Sequence, residues 1–313
     1  IKGNTVVIAI AASEPEKVVG LRLGNAGGIV VGKTNDSAVM ASDTVALIPH
    51  TEEVIYLESG EVVEIESGSI RLFDFNGAPI GRKAVKVNQN FQAAQKGSYP
   101  DFMSKEIAEQ PEAVQRALAG RVDLVTGGLE MPEIPLTVNQ IRSINRVIVT
   151  GMGTSLHAGM FGASMIESLA RIPASAENSS ELRYRNPVID PNTLVIAVTQ
   201  SGETADTLAA MEYASERGSP QGVVLEQDGS QAARIADFTL PIHAGQEIGV
   251  ASTKTMIASM TTLLELSIFL ARSRSVIDAD SVRQVVEQLA ALPSLVASTI
   301  DRNSDRSDVA KHL

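Results

Sequence analysis

The sequence predicts an α/β fold: a doubly wound, mostly parallel sheet of about five strands with helices on both faces, preceded by a β-rich region. Three observations predict it. From Arg146 onward, short apolar runs rich in β-branched residues alternate with helical stretches, the signature of repeated strand–turn–helix units. Two of those runs, residues 147–149 and 194–198, are apolar at every position, as strands buried on both faces require. Before residue 90 apolar and polar residues alternate instead, and turn signals separate the runs, which reads as strands with one wet face.

Taken in order, strand-like runs fall at residues 6–10, 28–32, 53–57, 61–65 and 69–73. Glu66-Ser67-Gly68 makes the last two a hairpin, and Asp74-Phe75-Asn76-Gly77 is a further turn signal. Residues 91–100 are polar with Gly97 and Pro100, a connector. Residues 102–107 and 111–118 read as two short helices, and 127–135 as an irregular link. Strands follow at 146–150, 174–177, 193–198, 221–225 and 238–242. Helices are expected at 156–169, 180–185 and 208–214, and a long one opens at Ala251-Ser252-Thr253-Lys254 and runs to about Leu270. Beyond Ser273 the chain is helical and charged, with one helix over 280–292 and another over 294–300. The expected divisions are therefore 1–90, 91–140, 141–274 and 275–313.

Composition bounds the function. The 313 residues suffice for about two domains. Apolar residues at 44% and charged residues at 20% are ordinary for a globular chain. Aromatics are only 4%, with no Trp, which argues against a base-stacking platform for nucleic acid. The net charge of -11 argues against nucleic acid and against an anionic membrane surface. The sequence holds no Cys, so it offers no disulfide, thiolate metal site or Cys nucleophile, and it fits a reducing cytoplasm. No apolar run is expected to reach the length of a membrane span. Residues 6–12 are apolar but short for a signal-peptide core, with only Lys2 before them. The first residue is Ile, which fits a chain that begins inside a longer one.

The stretch Thr199-Gln200-Ser201-Gly202-Glu203-Thr204-Ala205-Asp206-Thr207 joins the 193–198 strand to a helix. In an open α/β sheet that edge is where ligands bind. The first amides of a helix are unpaired and its dipole favours an anion. The Ser201 and Thr204 hydroxyls and the Gln200 amide add donors for phosphate oxygens, and Gly202 lets backbone approach a ligand. A Ser or Thr before a helix is also an ordinary N-cap. However, three such turns, at 151–155, 199–204 and 250–253, lie at strand-to-helix junctions of one sheet. Together they favour a dianionic, hydroxylated ligand. Hydrogen bonds to a charged group contribute about 1.5–3 kcal/mol each, so a few of them hold a sugar phosphate at micromolar to millimolar strength without a basic side chain.

Other readings are weaker. No Gly-x4-Gly-Lys-Ser/Thr occurs, so the P-loop reading goes. Gly151-Met152-Gly153 starts like a dinucleotide fingerprint, but Leu156 replaces the third Gly; Glu177 stands where a ribose-binding acid would. Glu203 and Asp206 read as first-turn acids matching the helix dipole. Glu247 precedes the third turn, His157 lies in the first turn of its helix, and Lys254 would need a depressed pKa to form a Schiff base. His50 is alone. These do not make a catalytic set, and no metal or cofactor is expected.

Four blocks carry a resemblance: Gly151-Met152-Gly153-Thr154-Ser155-Leu156-His157-Ala158-Gly159, Ser179-Ser180-Glu181-Leu182-Arg183-Tyr184-Arg185, Gln200 to Thr207, and Glu247-Ile248-Gly249-Val250-Ala251-Ser252-Thr253-Lys254. In this order they resemble the first sugar isomerase (SIS) domain of the isomerising glutamine–fructose-6-phosphate aminotransferases. Ser42-Asp43-x-x-Ala46-Leu47, Val54-Ile55-Tyr56-Leu57-Glu58-Ser59-Gly60-Glu61 and Phe102-Met103-Ser104-Lys105-Glu106-Ile107-Ala108-Glu109-Gln110-Pro111 are similar to the end of that family's glutaminase domain and the link after it. The resemblance implies a five-stranded SIS sheet after a partial Ntn-type glutaminase domain, and a homodimer through the SIS domains. It implies sugar-phosphate contacts from Ser155, Thr199, Gln200, Ser201 and Thr204, with Thr154, Val250 and Ser252 near the sugar. The family usually has Cys at Met152 and Ser at Thr199; the second change keeps a hydroxyl.

The resemblance also implies that both reacting centres lie outside these residues. The family's N-terminal Cys nucleophile has no counterpart here, nor has its second SIS domain, which carries the Schiff-base Lys, the Glu base and the ring-opening His. The expectation is a portion of an enzyme that makes glucosamine 6-phosphate, binding fructose 6-phosphate or glucosamine 6-phosphate without turnover of its own. Two alternatives stay open: a non-catalytic phosphosugar-binding module, and a stand-alone SIS isomerase or deaminase completed by a dimer partner. A half glutaminase domain should also leave strand edges unpaired, with poor order or aggregation there.

Overall fold

The computed structural model describes residues 5–24, 28–42, 44–47, 49–86, 96–123 and 125–303. The chain divides into two compact units, Ile1–Gln95 with Glu203–Ala205, and Lys96–Gly202 with Asp206–Leu313.

In the first unit, β1 (Thr5–Ala11), β2 (Glu14–Leu23), β3 (Val30–Lys33), β4 (Ala38–Ala41), β5 (Glu53–Tyr56), β6 (Glu61–Glu66), β7 (Ser69–Asp74), β8 (Pro79–Ile80) and β9 (Val85–Lys86) form two antiparallel sheets. Their orders are β1-β2-β6-β7-β8 and β4-β3-β5-β9. Val31, Val63, Ile65 and Leu72 share one buried cluster. β6 alternates buried and half-buried positions along its whole length, the pattern of a strand with one face on a core. Ser67 and Gly68 both take positive φ between β6 and β7, as a tight hairpin of matching twist requires. The sequence reading omitted β2 and β4. β2 opens with the exposed run Glu14-Pro15-Glu16 followed by half-buried Lys17, and β4 is four residues long, so neither shows a readable period. β1 is an edge strand and leaves Ile8 and Ile10 exposed.

The second unit opens with α1 (Phe102–Ala108) and α2 (Gln110–Leu118), then a short ribbon of β10 (Val122–Asp123) and β11 (Gly128–Leu129), and α3 (Val138–Ser143). Asp101 caps α1 by accepting from the Ser104 amide, and Thr137 with Gln140 closes a capping box on α3. The sheet follows as β12 (Arg146–Gly151), α4 (Thr154–Met165), β13 (Ala174–Asn178), α5 (Ser179–Arg185), β14 (Thr193–Val198), α6 (Ala205–Ser215), β15 (Gln221–Leu225), α7 (Gln231–Ile235) and β16 (Phe238–Pro241). α8 (Lys254–Ser273) and α9 (Ala279–Asn303) complete it.

All four strand pairings are parallel, in the order β13-β12-β14-β15-β16. All six residues of β14 are buried. Leu194, Ile196 and Val198 join the cluster containing Ala158, Ala258 and Leu266 of α4 and α8. Val195 packs instead with Leu182 and Ala210 of α5 and α6, and Ala197 with Leu208 and Met211 of α6. One strand thus feeds both layers with period two. Each fully buried Leu or Ile there contributes about 1.5–3 kcal/mol relative to exposure.

Three expectations are corrected. α4 begins at Thr154 and gives way to a π turn over Ile166–Ala170, closed by Arg171 at φ 55°. Pro293 does not divide the last helix: α9 runs through it. The longest apolar segment is also longer than expected. α8 is long and apolar enough to cross a membrane by length and composition, but 72% of that window is buried inside the protein. It carries Lys254 and Glu265, both buried, and packs as the central helix of one layer.

Candidate functional site

The strand order sets where a ligand can enter. From β12 the chain crosses to β13 on one side, then to β14 on the other. Such a reversal leaves a crevice outside the carboxyl ends of the two diverging strands. Gly151 of β12 and Val198 of β14 are register partners at that end, so the turns after them lie side by side.

The first turn is residues 152–155. Gly153, at φ 53°, stands at the N-cap of α4 and supplies no side-chain cap. Ser155 donates its amide to Met152 O at 3.0 Å. Thr154 and Ser155 are half-buried, and among the described residues no hydrogen bond joins either hydroxyl to another protein group.

The second turn follows β14. Thr199 is buried, and its Oγ1 accepts from the Gly202 amide at 3.3 Å. Gln200 O accepts from the Glu226 amide, and Gly202 O accepts from the Ala232 amide at 3.0 Å. Gly202 has φ 68°, and a Cβ there would lie 2.0 Å from Ser230 Oγ. Only glycine fits that conformation and space. Ser201 and Thr204 are half-buried, Thr204 standing one residue before α6.

The third segment, residues 242–253 between β16 and α8, returns to the same edge. Gln200 Nε2 donates to Glu247 O at 3.2 Å, which places it beside the second turn. Its backbone is held by the carboxylates of half-buried Glu226 and buried Glu106. Glu226 accepts from the amides of Ala244 at 2.7 Å and Gly245 at 2.8 Å; burial pushes the Glu226 carboxyl up, against the pull of those bonds. Glu106 of α1 accepts from Ile248 and Gly249. Arg116 of α2 donates to His243 O and Ala244 O. Sequence reasoning missed Glu106, Arg116, Glu226 and Ser230. Their signal was only a charged or hydroxyl residue far away in sequence, which has no period.

The amino end of α8 is filled from within. Glu247 Oε1 accepts from the amides of Thr253 at 2.8 Å and Thr255 at 3.3 Å, and Thr255 Oγ1 donates to Glu247 Oε2. Ser252 Oγ accepts from Met256 N at 3.1 Å. These donors are therefore spent on the protein's own Glu247 carboxylate and Ser252 hydroxyl, and the expectation of three helix starts aimed at an anion reduces to two. Val250 projects fully exposed from the third segment.

The eight expected residues thus fall into two groups. Thr154 and Ser155 in the turn after β12, and Ser201 and Thr204 in the stretch after β14, are half-buried. Thr199, Gln200 and Ser252 use their side chains to build the loops, and Val250 offers an exposed apolar surface. Of the acid/base candidates, Lys254 is buried and paired with Glu109 at 2.6 Å, and Glu177 pairs with Arg185 at 2.8 Å. Glu247 is the α8 cap, and His157 is exposed on α4. The geometry offers neutral donors to a ligand.

Residues 140–268 match the SIS domain family. The whole chain is 36% identical to a glutamine–fructose-6-phosphate aminotransferase [isomerizing] of Symbiobacterium thermophilum, over 313 residues that are 51% of that protein. It is 38% identical to the one from Caulobacter vibrioides over 309 residues, 98% of this chain and 50% of that protein. The chain therefore spans about half the length of the curated relatives it matches. Among solved structures, the C-terminal domain of glucosamine-fructose-6-phosphate aminotransferase from Francisella tularensis superposes with a TM-score of 0.64 at 28% identity, covering 69% of this chain and 60% of that one. The resemblance read from the sequence holds from end to end.

Proposed function

From a chain that carries a SIS domain and is similar throughout to half of an isomerising glutamine–fructose-6-phosphate aminotransferase, we infer that it is the sugar-phosphate-binding portion of such an enzyme, whose product is glucosamine 6-phosphate. One observation carries the reading: two hydroxyl-bearing turns lie side by side at the switch point of a parallel sheet, on strands whose ends are register partners. The phosphate of fructose 6-phosphate is received there by the Ser155, Ser201 and Thr204 hydroxyls and the amides around them, with Thr154 at the sugar. Thr199 and Gln200 hold the second turn in shape, and Val250 and Ser252 border the sugar. Preorganised neutral donors suit a dianion, since they do not need to be desolvated as full charges.

In this reading residues 1–90 are part of a glutaminase domain, 91–140 a helical linker, 141–274 the SIS domain and 275–313 the link to a second SIS domain. The whole enzyme is a cytoplasmic homodimer joined through its SIS domains. Calorimetry with fructose 6-phosphate tests the reading: the 313-residue chain binds it, and glutamine with fructose 6-phosphate gives no glucosamine 6-phosphate. No binding, or any glutamine-dependent turnover by this chain, contradicts it.

The engagement of Glu177, Glu247 and Lys254 by protein partners favours a second reading, a phosphosugar-binding module without catalysis. The two readings separate in the full-length gene product: the enzyme releases glucosamine 6-phosphate from glutamine and fructose 6-phosphate, the module does not.

A further inference from the structure

The geometry assigns to Glu106, on α1 and outside the SIS match, the role of a positioning residue that holds the Ile248–Gly249 backbone so that Val250 to Ser252 border the sugar-phosphate crevice; this rests on the reading above.

The Glu106 side chain is 2% exposed. Its Oε1 accepts from Ile248 N at 2.6 Å and Gly249 N at 3.1 Å, and its Oε2 from Gly249 N at 3.2 Å. A buried carboxylate needs such compensation, and two adjacent amides supply it in the form that oxyanions prefer. Both oxygens are thereby committed to backbone, so Glu106 acts on a ligand through the loop and not by contact.

Residue 249 bears the imprint of this arrangement. A Cβ on Gly249 would lie 2.5 Å from Glu106 Oε2, so any side chain there has to displace that carboxylate. The same pair of helices anchors the segment on either side. Arg116 donates to His243 O at 2.7 Å and Ala244 O at 2.8 Å, and Glu109 pairs with Lys254 Nζ at 2.6 Å. Glu106 is the middle anchor between them, and it is the one next to Val250. α1 and α2 thus act as a splint for a loop more than a hundred residues away in sequence, and its position depends on theirs.

The test uses the 313-residue chain and four variants: Glu106→Ala, Glu106→Gln, Gly249→Ala and the double variant Glu106→Ala/Gly249→Ala. Met103→Ala, an exposed side chain on the same helix, is the control. Residue-resolved amide exchange and calorimetry with fructose 6-phosphate are the readouts. Glu106→Ala speeds exchange at Ile248 and Gly249 by about tenfold or more and weakens fructose 6-phosphate by about the same factor, the size expected when hydrogen bonds to a charged group are lost. Glu106→Gln keeps acceptor oxygen and recovers part of both effects. Gly249→Ala, which pushes the carboxylate away, copies Glu106→Ala, and the double variant is no worse than either single one. Met103→Ala changes neither readout.

Unchanged exchange at Ile248 and Gly249 in a folded Glu106→Ala chain overturns the anchoring. Faster exchange with binding within twofold of wild type overturns the positioning role. If wild type itself fails to bind fructose 6-phosphate, the functional reading falls, and the exchange data still judge the anchor. If Glu106→Ala fails to fold, Glu106→Gln and Gly249→Ala carry the same comparison.

Discussion

The side-chain amide of Gln200 donates to the carbonyl of Glu247 across 3.2 Å, and that bond closes the third loop onto the turn after β14. It joins residues 47 apart in sequence and converts two separate loops into one rim. Gln200→Leu removes the donor at nearly constant volume and leaves the Glu247 carbonyl unpaired. The expected result is fructose 6-phosphate binding weakened about three- to tenfold, with a change in melting temperature of only a few degrees, the size of one hydrogen bond. Calorimetry and thermal unfolding of the same sample check both halves.

Gly202 is the position where the second turn tolerates least. Alanine there must adopt φ 68° and place its Cβ against Ser230 Oγ. A left-handed non-glycine residue costs about 1–3 kcal/mol before any clash, and the contact adds to it. Gly202→Ala is expected to lower stability by about 2–4 kcal/mol in denaturant unfolding. Gly202→Ala/Ser230→Ala recovers only part, because removing the hydroxyl relieves the contact and not the backbone strain.

Stability should also vary with pH through Glu265. It is fully buried on α8 beside Arg121, whose Nη1 donates to it at 3.1 Å. Burial raises its carboxyl from 4.5 to about 7, and Arg121 offsets only part of that. The folded chain therefore holds this proton more tightly than the unfolded chain. Stability from this group is fully present below pH 4.5, falls as pH rises from 4.5 to about 7, and is flat above. Glu265→Gln, which mimics the protonated form, removes that slope. Melting curves at pH 5 and pH 8 check it: the wild-type difference shrinks in the variant, and an unchanged difference rejects the assignment.

The parallel sheet was legible because two of its runs, 147–149 and 194–198, are hydrophobic at every position and turn residues separate the strands. Burial on two faces leaves that mark in any one strand, as β14 shows. The turns that carry Thr154, Ser155, Ser201 and Thr204 were legible for a similar reason: strand, turn and helix start are contiguous in sequence. What holds the loops was not. Glu106 meets Gly249 across 143 residues, and Glu226 meets Ala244 across 18, so no local pattern announces either pair. The division of labour within the turns was hidden as well. Thr199 and Thr204 read alike in sequence, yet Thr199 is buried and its hydroxyl closes the turn, whereas Thr204 is only half-buried. Glu247 taking the α8 amides is the same lesson, since sequence marks a helix start and not what occupies it. Pro293 misled because a proline breaks most helix interiors, whereas α9 continues through it.

The central claim is that a sugar phosphate is held at the β12–β14 crevice by hydroxyls and amides. Calorimetric titration of fructose 6-phosphate into the 313-residue chain and its Ser201→Ala/Thr204→Ala variant tests it most directly. The account predicts that the double variant, folded and with wild-type melting behaviour within a few degrees, binds at least about tenfold more weakly. Equal affinity of the two proteins contradicts it.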